Sequence, residues 1–266
     1  LFVGFGAMVG VIFGFFGIGS FLVTPTLLVM GYDSRVVVGS GMAFVFGTAV
    51  IGTLRHHDLG NVDYRLGVLL VVWTTLGIEL GKRLLLFLSA IGVADLVVGT
   101  TYVVLLAIVG ALVIVESTKG DVASYSIFEV LDLGDLEGPK LGPLISVKEG
   151  GTVSFWLVSV VALGAGILAG FLGIGGGFLR LPALTYLFGV PLPVAVGTNL
   201  FGITFSGAFG SYLWATVGGV NLSIVGPLLA GSALGARIGS ATTRLVDDDA
   251  MKLQFGLLLV AGSIAV

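Results

Sequence analysis

Long apolar runs, separated by short polar or glycine-rich breaks, make up most of this chain. Several of these runs approach the roughly 20 residues that an α-helix needs to span a bilayer. They are unbroken, whereas the strands of a membrane β-barrel alternate in polarity over about 10 residues. The pattern therefore predicts membrane helices, in the following apolar segments: 1–30, 35–53, 62–81, 94–115, 154–172, 178–188, 194–217, 222–240 and 250–266.

A glycine cluster interrupts the apolar pattern twice, once near the start of the chain and once after residue 172. Each glycine costs up to about 1 kcal/mol of helix propensity relative to alanine, so we expect both helices to break there. Broken backbone at membrane depth is tolerated only where protein buries it or where it lines a wet cavity. The breaks are therefore predicted to form a binding site, and they hold these candidates: Gly17, Gly19 and Ser20 in the first, and Gly173, Gly175, Gly176 and Gly177 in the second.

Composition places the chain in the membrane and excludes several kinds of site. Of its 266 residues, 56% are hydrophobic and only 10% are charged, and its 44 glycines suit close helix packing in lipid. The absence of cysteine excludes disulfides and cysteine-based metal sites. The chain has neither an ATP-binding glycine loop nor a basic stripe for nucleic acid. We expect a multi-pass protein of the plasma membrane that is not an enzyme and holds no cofactor or metal.

Residues 116–153 differ in composition from the rest of the chain. They contain seven acidic and three basic residues, a net charge of −4. A segment this charged is expected to lie in water, so it predicts an extramembrane connector between two membrane parts, residues 1–115 and residues 154–266. A docking role for a partner is the alternative to a plain linker.

The two membrane parts are related in sequence. Aligning Gly31–Gly81 with Gly189–Gly239 without a gap gives eleven identical positions among 51, and FFGIGS upstream matches FLGIGGG. The chain is therefore interpreted as an internal duplication. We predict an all-α integral membrane protein of two repeats, each with a glycine-broken first segment followed by three transmembrane helices. Many secondary transporters bind substrate where discontinuous helices of two such repeats meet.

The relative orientation of the repeats depends on the geometry of each glycine break. Thirty residues form about 45 Å of helix, which is long for one crossing and favours a re-entrant hairpin. A hairpin leaves an odd number of crossings in each half and so inverts the second repeat. The loop lysines and arginines, in contrast, segregate more cleanly to one side if each break is a kink in a single crossing, which gives parallel repeats. We favour inverted repeats, and the parallel arrangement stays open.

Polar side chains near the second break could recognise an anion. Arg180 is the only formal charge between Glu149 and Arg237, and a cation inside a membrane segment is costly unless it faces a cavity or a partner. Thr198 and Asn199 follow it, and the duplication aligns Ser40 with Thr198. These groups, with the backbone N–H groups after each glycine turn, would donate hydrogen bonds to an anion. The alternatives are structural: Arg180 caps carbonyls or reaches an interface, and the other side chains cap helices.

Glu79 is a candidate for coupling a proton to transport. The duplication aligns it with Arg237, so the two could instead form an ion pair across a pseudo-two-fold axis. Residues this close to the end of a membrane segment are also commonly interfacial.

The motifs GFFGIGSFLVTP, GFLGIGGGFLRLPALTYLFGVPLPVAVGTN and GARIG resemble the TauE/SafE family of sulfite and organic-anion exporters. The resemblance covers nearly all of both membrane parts, and the first glycine motif is a weaker copy of the second. It implies a secondary transporter that exports a small anion such as sulfite, an organosulfonate such as sulfoacetate, or a related carboxylate. A passive anion channel and a membrane-embedded enzyme or assembly factor are the alternative functions. The anion and the bilayer are the expected partners, while a homo-oligomer and a coupled proton or ion stay open.

Overall fold

The structure is a computed structural model that describes residues 1–16, 20–118, 142–148 and 151–242. Over these residues the predicted all-helical architecture is confirmed, with one short two-stranded antiparallel hairpin in addition. The elements are α1 Phe2–Phe16, α2 Val23–Val29, α3 Ser34–Asp58, α4 Tyr64–Ala90, α5 Ala94–Thr118, β1 Leu144–Ser146, β2 Thr152–Ser154, α6 Phe155–Leu172, α7 Gly177–Pro182, α8 Leu192–Ala215 and α9 Leu222–Thr242. A 3₁₀ turn, Ser20–Leu22, precedes α2, and a π-helical turn, Ala183–Leu187, follows α7.

Several predicted elements differ from the observed ones in extent. The predicted last span, 250–266, lies outside the described residues, as do Gly17 and Gly19. Helix α4 runs to Ala90, well past the predicted end at residue 81. It continues because the charges at its far end form ion pairs within one turn of the helix and so do not break it.

Helices α3 and α6 are each long and apolar enough to cross a bilayer, at Ser34–Asp58 and Phe155–Leu172. Shorter apolar helical stretches occur at Phe2–Phe13, Ala94–Ile108 and Leu222–Ile238. Helix α4 carries an exposed apolar stripe along one face, formed by every fourth residue: Val68, Val72, Leu76, Leu80 and Leu84. This stripe is about 24 Å long at the usual helical rise, so it presents a lipid-compatible face over most of the bilayer's hydrocarbon thickness.

Three helix pairs make the most extensive contacts: α1 with α9, α4 with α6, and α3 with α8. Glycines permit the first two. A Cβ on Gly166 of α6 would lie 2.4 Å from the carbonyl oxygen of Thr74 on α4, and one on Gly77 would lie 2.3 Å from that of Leu163. In the same way, a Cβ on Gly10 of α1 would lie 2.5 Å from the carbonyl oxygen of Ser232 on α9. These backbones approach too closely for any larger residue, which is how helices associate in lipid.

The order of contacts gives the direction of each pair. Along α3 and α8, Gly210 lies against Met42 and Gly52 lies against Leu200, so the numbering rises on one helix as it falls on the other. Helices α3 and α8 are therefore antiparallel. In the α4–α6 and α1–α9 pairs the numbering rises on both helices together, so these pairs are parallel.

The second glycine cluster breaks the chain where the sequence predicts a break. Gly173 ends α6 with a φ of +77°, and Gly175 and Gly176 both have a φ of +71°. Glycine adopts this left-handed region without the strain that a Cβ causes. Helix α7 then begins at Gly177. The whole turn is buried, so it lies inside the protein as expected for broken backbone at membrane depth.

Candidate functional site

Arg180 is completely buried beside the glycine turn. Its Nη1 donates to Thr74 Oγ1 of α4 at 2.9 Å, and its Nη2 donates to the carbonyl oxygen of Gly175 at 3.3 Å. The guanidinium also lies close to Gly202 of α8, where a Cβ would be 3.2 Å from Nη1. Arg180 therefore occupies a space bounded by α4, α7, α8 and the glycine turn.

No carboxylate of the described residues pairs with this buried cation. Among the described residues Arg180 forms no ion pair, and its Nε has no hydrogen-bond partner there. A buried charge is normally paired, because removing it from water costs several kcal/mol. A guanidinium of this kind is chemically suited to an oxyanion, because it can bind one through two parallel N–H groups.

Asn199 of α8 also lies beside the glycine turn. Its side chain is 2% exposed, and its Nδ2 is 3.5 Å from the carbonyl oxygen of Gly177, at the limit of a hydrogen bond. Its Oδ1 has no partner among the described residues. Asn199 and Gly202 are three residues apart on α8 and so share a face of that helix, which places the amide within about one turn of the guanidinium.

Thr198 and Ser40 each form a hydrogen bond to a loop of the other half of the chain. The hydroxyl of Thr198 accepts a hydrogen bond from the backbone N–H of Asp63 at 2.9 Å. The hydroxyl of Ser40 accepts from the N–H of Asn221 at 3.1 Å. Each therefore fixes the loop that precedes a helix of the other half, which is the structural alternative. A hydroxyl that accepts one bond still has its own hydrogen to donate.

Asp63 joins three elements at one end of the bundle. It is buried and caps α4, where its Oδ1 accepts from the N–H groups of Arg65 and Leu66. Its Oδ2 accepts from the N–H of Lys148, in the turn of the β-hairpin, at 2.8 Å. Lys148 also donates through Nζ to the carbonyl oxygen of Gly60. The hairpin is therefore fastened to the α3–α4 loop, and through Asp63 to Thr198.

Tyr102 fixes the helix end that leads into the glycine turn. It is fully buried on α5, and its hydroxyl donates to the carbonyl oxygen of Leu172 at 2.7 Å. Leu172 is the last residue of α6, so its carbonyl has no partner within the helix. Tyr102 therefore positions the start of the turn.

Glu79 forms ion pairs with two cations of its own helix. Its carboxylate is 3.0 Å from Lys82 Nζ and 2.8 Å from Arg83 Nε. It is thus already engaged with two cations from α4 itself. Its predicted role in coupling stays a prediction.

The structure brings some of the predicted site residues together and leaves others apart. Gly173, Gly175, Gly176, Gly177, Arg180 and Asn199 surround one buried turn, whereas Thr198 and Ser40 mark two loop contacts and the side chain of Ser20 is outside the described part. Sequence reasoning missed Thr74, Tyr102 and Asp63. The role of Asp63 could be predicted from the sequence, because an aspartate directly before an apolar run is typical of a helix N-cap. The roles of Thr74 and Tyr102 could not be predicted, since no local sequence pattern indicates which distant group a hydroxyl will bond. Over the described residues no cluster of three metal-ligating side chains occurs.

A family model described as sulfite exporter TauE/SafE matches residues 2–266 of the chain. A probable membrane transporter protein of Xylella fastidiosa strain Temecula1 is 28% identical, over 99% of this chain and 93% of that protein. The probable membrane transporter protein YunE of Bacillus subtilis is 24% identical, over 90% of this chain and 83% of its own length. No solved structure matches the chain.

Proposed function

The chain belongs to the sulfite exporter TauE/SafE family, and we propose that it exports a small oxyanion across the cell membrane by alternating access. The family and the names of its relatives indicate a membrane transporter rather than an enzyme. The substrate class that we propose is sulfite, an organosulfonate or a related carboxylate. The protein then crosses the membrane several times and needs neither ATP nor a cofactor.

The observation that carries this proposal is that Arg180 is fully buried without an ion-pair partner among the described residues. Intramembrane cations mark substrate or ion pathways unless a partner neutralises them, and no described carboxylate does so here. The glycine turn and Asn199 supply neutral polar groups beside it. An oxyanion that entered this space would accept a hydrogen bond from Arg180 Nε and would also neutralise the buried charge.

The contacts between the two halves support an internal duplication. The same contact recurs at positions that the sequence alignment makes equivalent. The recurring pairs are Gly166–Thr74 with Gly10–Ser232, Gly77–Leu163 with Gly235–Ala7, and the hydrogen bonds Asp63–Thr198 with Asn221–Ser40. A pseudo-two-fold axis produces this pattern, because it exchanges each contact with its counterpart.

The directions of the helices favour inverted repeats. Helices α3 and α8 occupy equivalent places in the two halves and run antiparallel. If both cross the bilayer, the second half is upside down relative to the first. This arrangement requires a re-entrant hairpin at each glycine break, as favoured from segment length.

Two equivalent hydrogen bonds then lie at opposite ends of the α3–α8 pair and suggest how access alternates. The Asp63–Thr198 bond lies where α3 ends and α8 begins, and the Asn221–Ser40 bond lies where α8 ends and α3 begins. Rocking of one half against the other would open one of these ends while the other stays closed. The anion would remain at the turn between them.

The test is anion-dependent stabilisation and flux of the purified protein, with Arg180→Gln compared with Arg35→Gln. Glutamine removes the charge and keeps hydrogen-bonding capacity, while Arg35 is an exposed arginine bonded to Asp33. We expect sulfite or methanesulfonate to raise the apparent melting temperature of the wild type and the Arg35→Gln variant, because a ligand that binds only the folded state stabilises it. The same two proteins should move the anion into proteoliposomes.

Arg180→Gln should lose both the stabilisation and the flux. Equal anion responses in the two variants would refute the assigned site. Single-channel conductance in a planar bilayer, in place of saturable flux, would assign the protein to a passive channel.

A further inference from the structure

We infer that the site selects singly charged oxyanions over doubly charged ones. This inference rests on the proposed function and adds to it a property of the substrate. It follows from the count of buried charges at the glycine turn and from the orientation of one amide.

Only one of the two equivalent positions carries a cation. Matching Pro25 with Pro182 aligns Val23 with Arg180, and Val23 is fully buried in the first half. Ser232, the counterpart of Thr74, is also fully buried, and its Oγ has no partner among the described residues. Arg180 of the second half therefore has a hydroxyl partner, Thr74, in the first half. The equivalent pair, Val23 of the first half and Ser232 of the second, supplies neither a charge nor such a bond.

No other cation among the described residues lies in this space with a free charge. Lys82 is the nearest buried candidate on α4, and it pairs with Glu79. It is eight residues from Thr74, about 12 Å along the helix. The described site thus neutralises one negative charge.

A second negative charge on the ligand would remain uncompensated inside the protein. The cost of an unpaired buried charge is several kcal/mol even after relaxation. Hydrogen bonds from neutral groups offset only part of it, because each contributes far less than the lost hydration. A dianion must therefore bind more weakly than a monoanion of the same shape, or bind only after protonation.

The orientation of Asn199 adds to this preference. The carbonyl oxygen of Gly177 accepts hydrogen bonds only, so the Nδ2 end of the amide must face it. The unpartnered Oδ1 end is then directed elsewhere, and it is an acceptor too. A ligand hydrogen, such as that of a protonated oxyanion or a hydroxyl group, would satisfy this oxygen, whereas a second anionic oxygen would be repelled by it.

The test compares three small sulfur oxyanions that differ in charge. Methanesulfonate is a monoanion and sulfate a dianion at neutral pH, and sulfite changes between the two forms near neutrality. We expect wild-type protein to bind methanesulfonate at least about tenfold more tightly than sulfate, since a tenfold ratio needs only about 1.4 kcal/mol of the charge penalty. The apparent affinity for sulfite should rise as the pH falls and hydrogen sulfite accumulates, while that for methanesulfonate stays constant.

A companion variant tests the amide separately from the charge. Asn199→Ala should reduce the ratio of methanesulfonate to sulfate affinity while both anions still bind, because Arg180 remains. If the wild type bound sulfate as tightly as methanesulfonate, or more tightly, the inference would be overturned while the proposal of anion transport would stand. Failure of all three anions to bind would instead overturn the proposed function, and the charge preference with it.

Discussion

At the scale of single residues, the important interaction is the one that holds the guanidinium in place. Arginine has five N–H donors in a rigid fork, and the described contacts of Arg180 engage its two Nη atoms. Thr74 provides the one side-chain acceptor among these contacts, and it belongs to the other half of the chain. The orientation of the cation toward a ligand therefore depends on a hydroxyl about 100 residues away in sequence.

Thr74→Val tests this dependence with a side chain of the same shape. The change removes the acceptor for Arg180 and leaves a buried charged donor with one partner fewer, a loss of about 1–3 kcal/mol. We expect a lower apparent melting temperature and weaker binding of methanesulfonate, both measured by thermal shift. The neighbouring, half-buried Thr75 is the matched control, and Thr75→Val should change neither. Identical behaviour of the two variants would show that the bond to Arg180 does not position it.

At the scale of helices, the α4–α6 crossing fixes where Thr74 lies. Gly166 of α6 faces the backbone of Thr74, and an added Cβ there would be 2.4 Å from its carbonyl oxygen. Gly164 lies on the same helix with nothing within 4 Å of an added Cβ. An alanine at Gly166 would therefore disturb the packing of α4 against α6, whereas an alanine at Gly164 would change only the helix propensity of α6.

Gly166→Ala should force the two helices apart and move Thr74 away from Arg180. Alanine favours helix over glycine by up to about 1 kcal/mol, so Gly164→Ala should raise the apparent melting temperature slightly or leave it unchanged. Gly166→Ala should lower it by several degrees and weaken anion binding as well. A Gly166→Ala protein as stable as the Gly164→Ala protein would mean that the close contact is not maintained in the membrane.

The helices were largely predictable from sequence, and the contacts between them were not. Apolar runs located α3 and α6, and the glycine cluster located the break at Gly173, because both signals are local. The pairing of Ser40 with Asn221 depends on how the two halves pack, and no local pattern along the chain indicates it. Glu79 differs from Ser40, because its partners Lys82 and Arg83 lie at the i+3 and i+4 positions of its own helix and so follow from helical spacing.

At the scale of the whole molecule, the orientation of the halves is the property on which alternating access depends. The antiparallel α3–α8 pair places the α3–α4 loop and the α8–α9 loop at opposite ends of the bundle. Leu59 and Val217 lie in these loops, are aligned by the duplication and are 61% and 42% exposed. Because the chain contains no cysteine, one cysteine introduced at either position reports its side of the membrane without a background signal.

Leu59→Cys and Val217→Cys should react with a membrane-impermeant maleimide from opposite faces, as measured in right-side-out and inside-out vesicles. Ser146→Cys is the internal control, because the hairpin is bonded to Asp63 and Gly60 through Lys148 and must therefore label from the same face as Leu59→Cys. Parallel repeats predict that Leu59→Cys and Val217→Cys label from one common face. That result would place the Asp63–Thr198 and Asn221–Ser40 bonds on one side of the membrane, where they could not open in alternation.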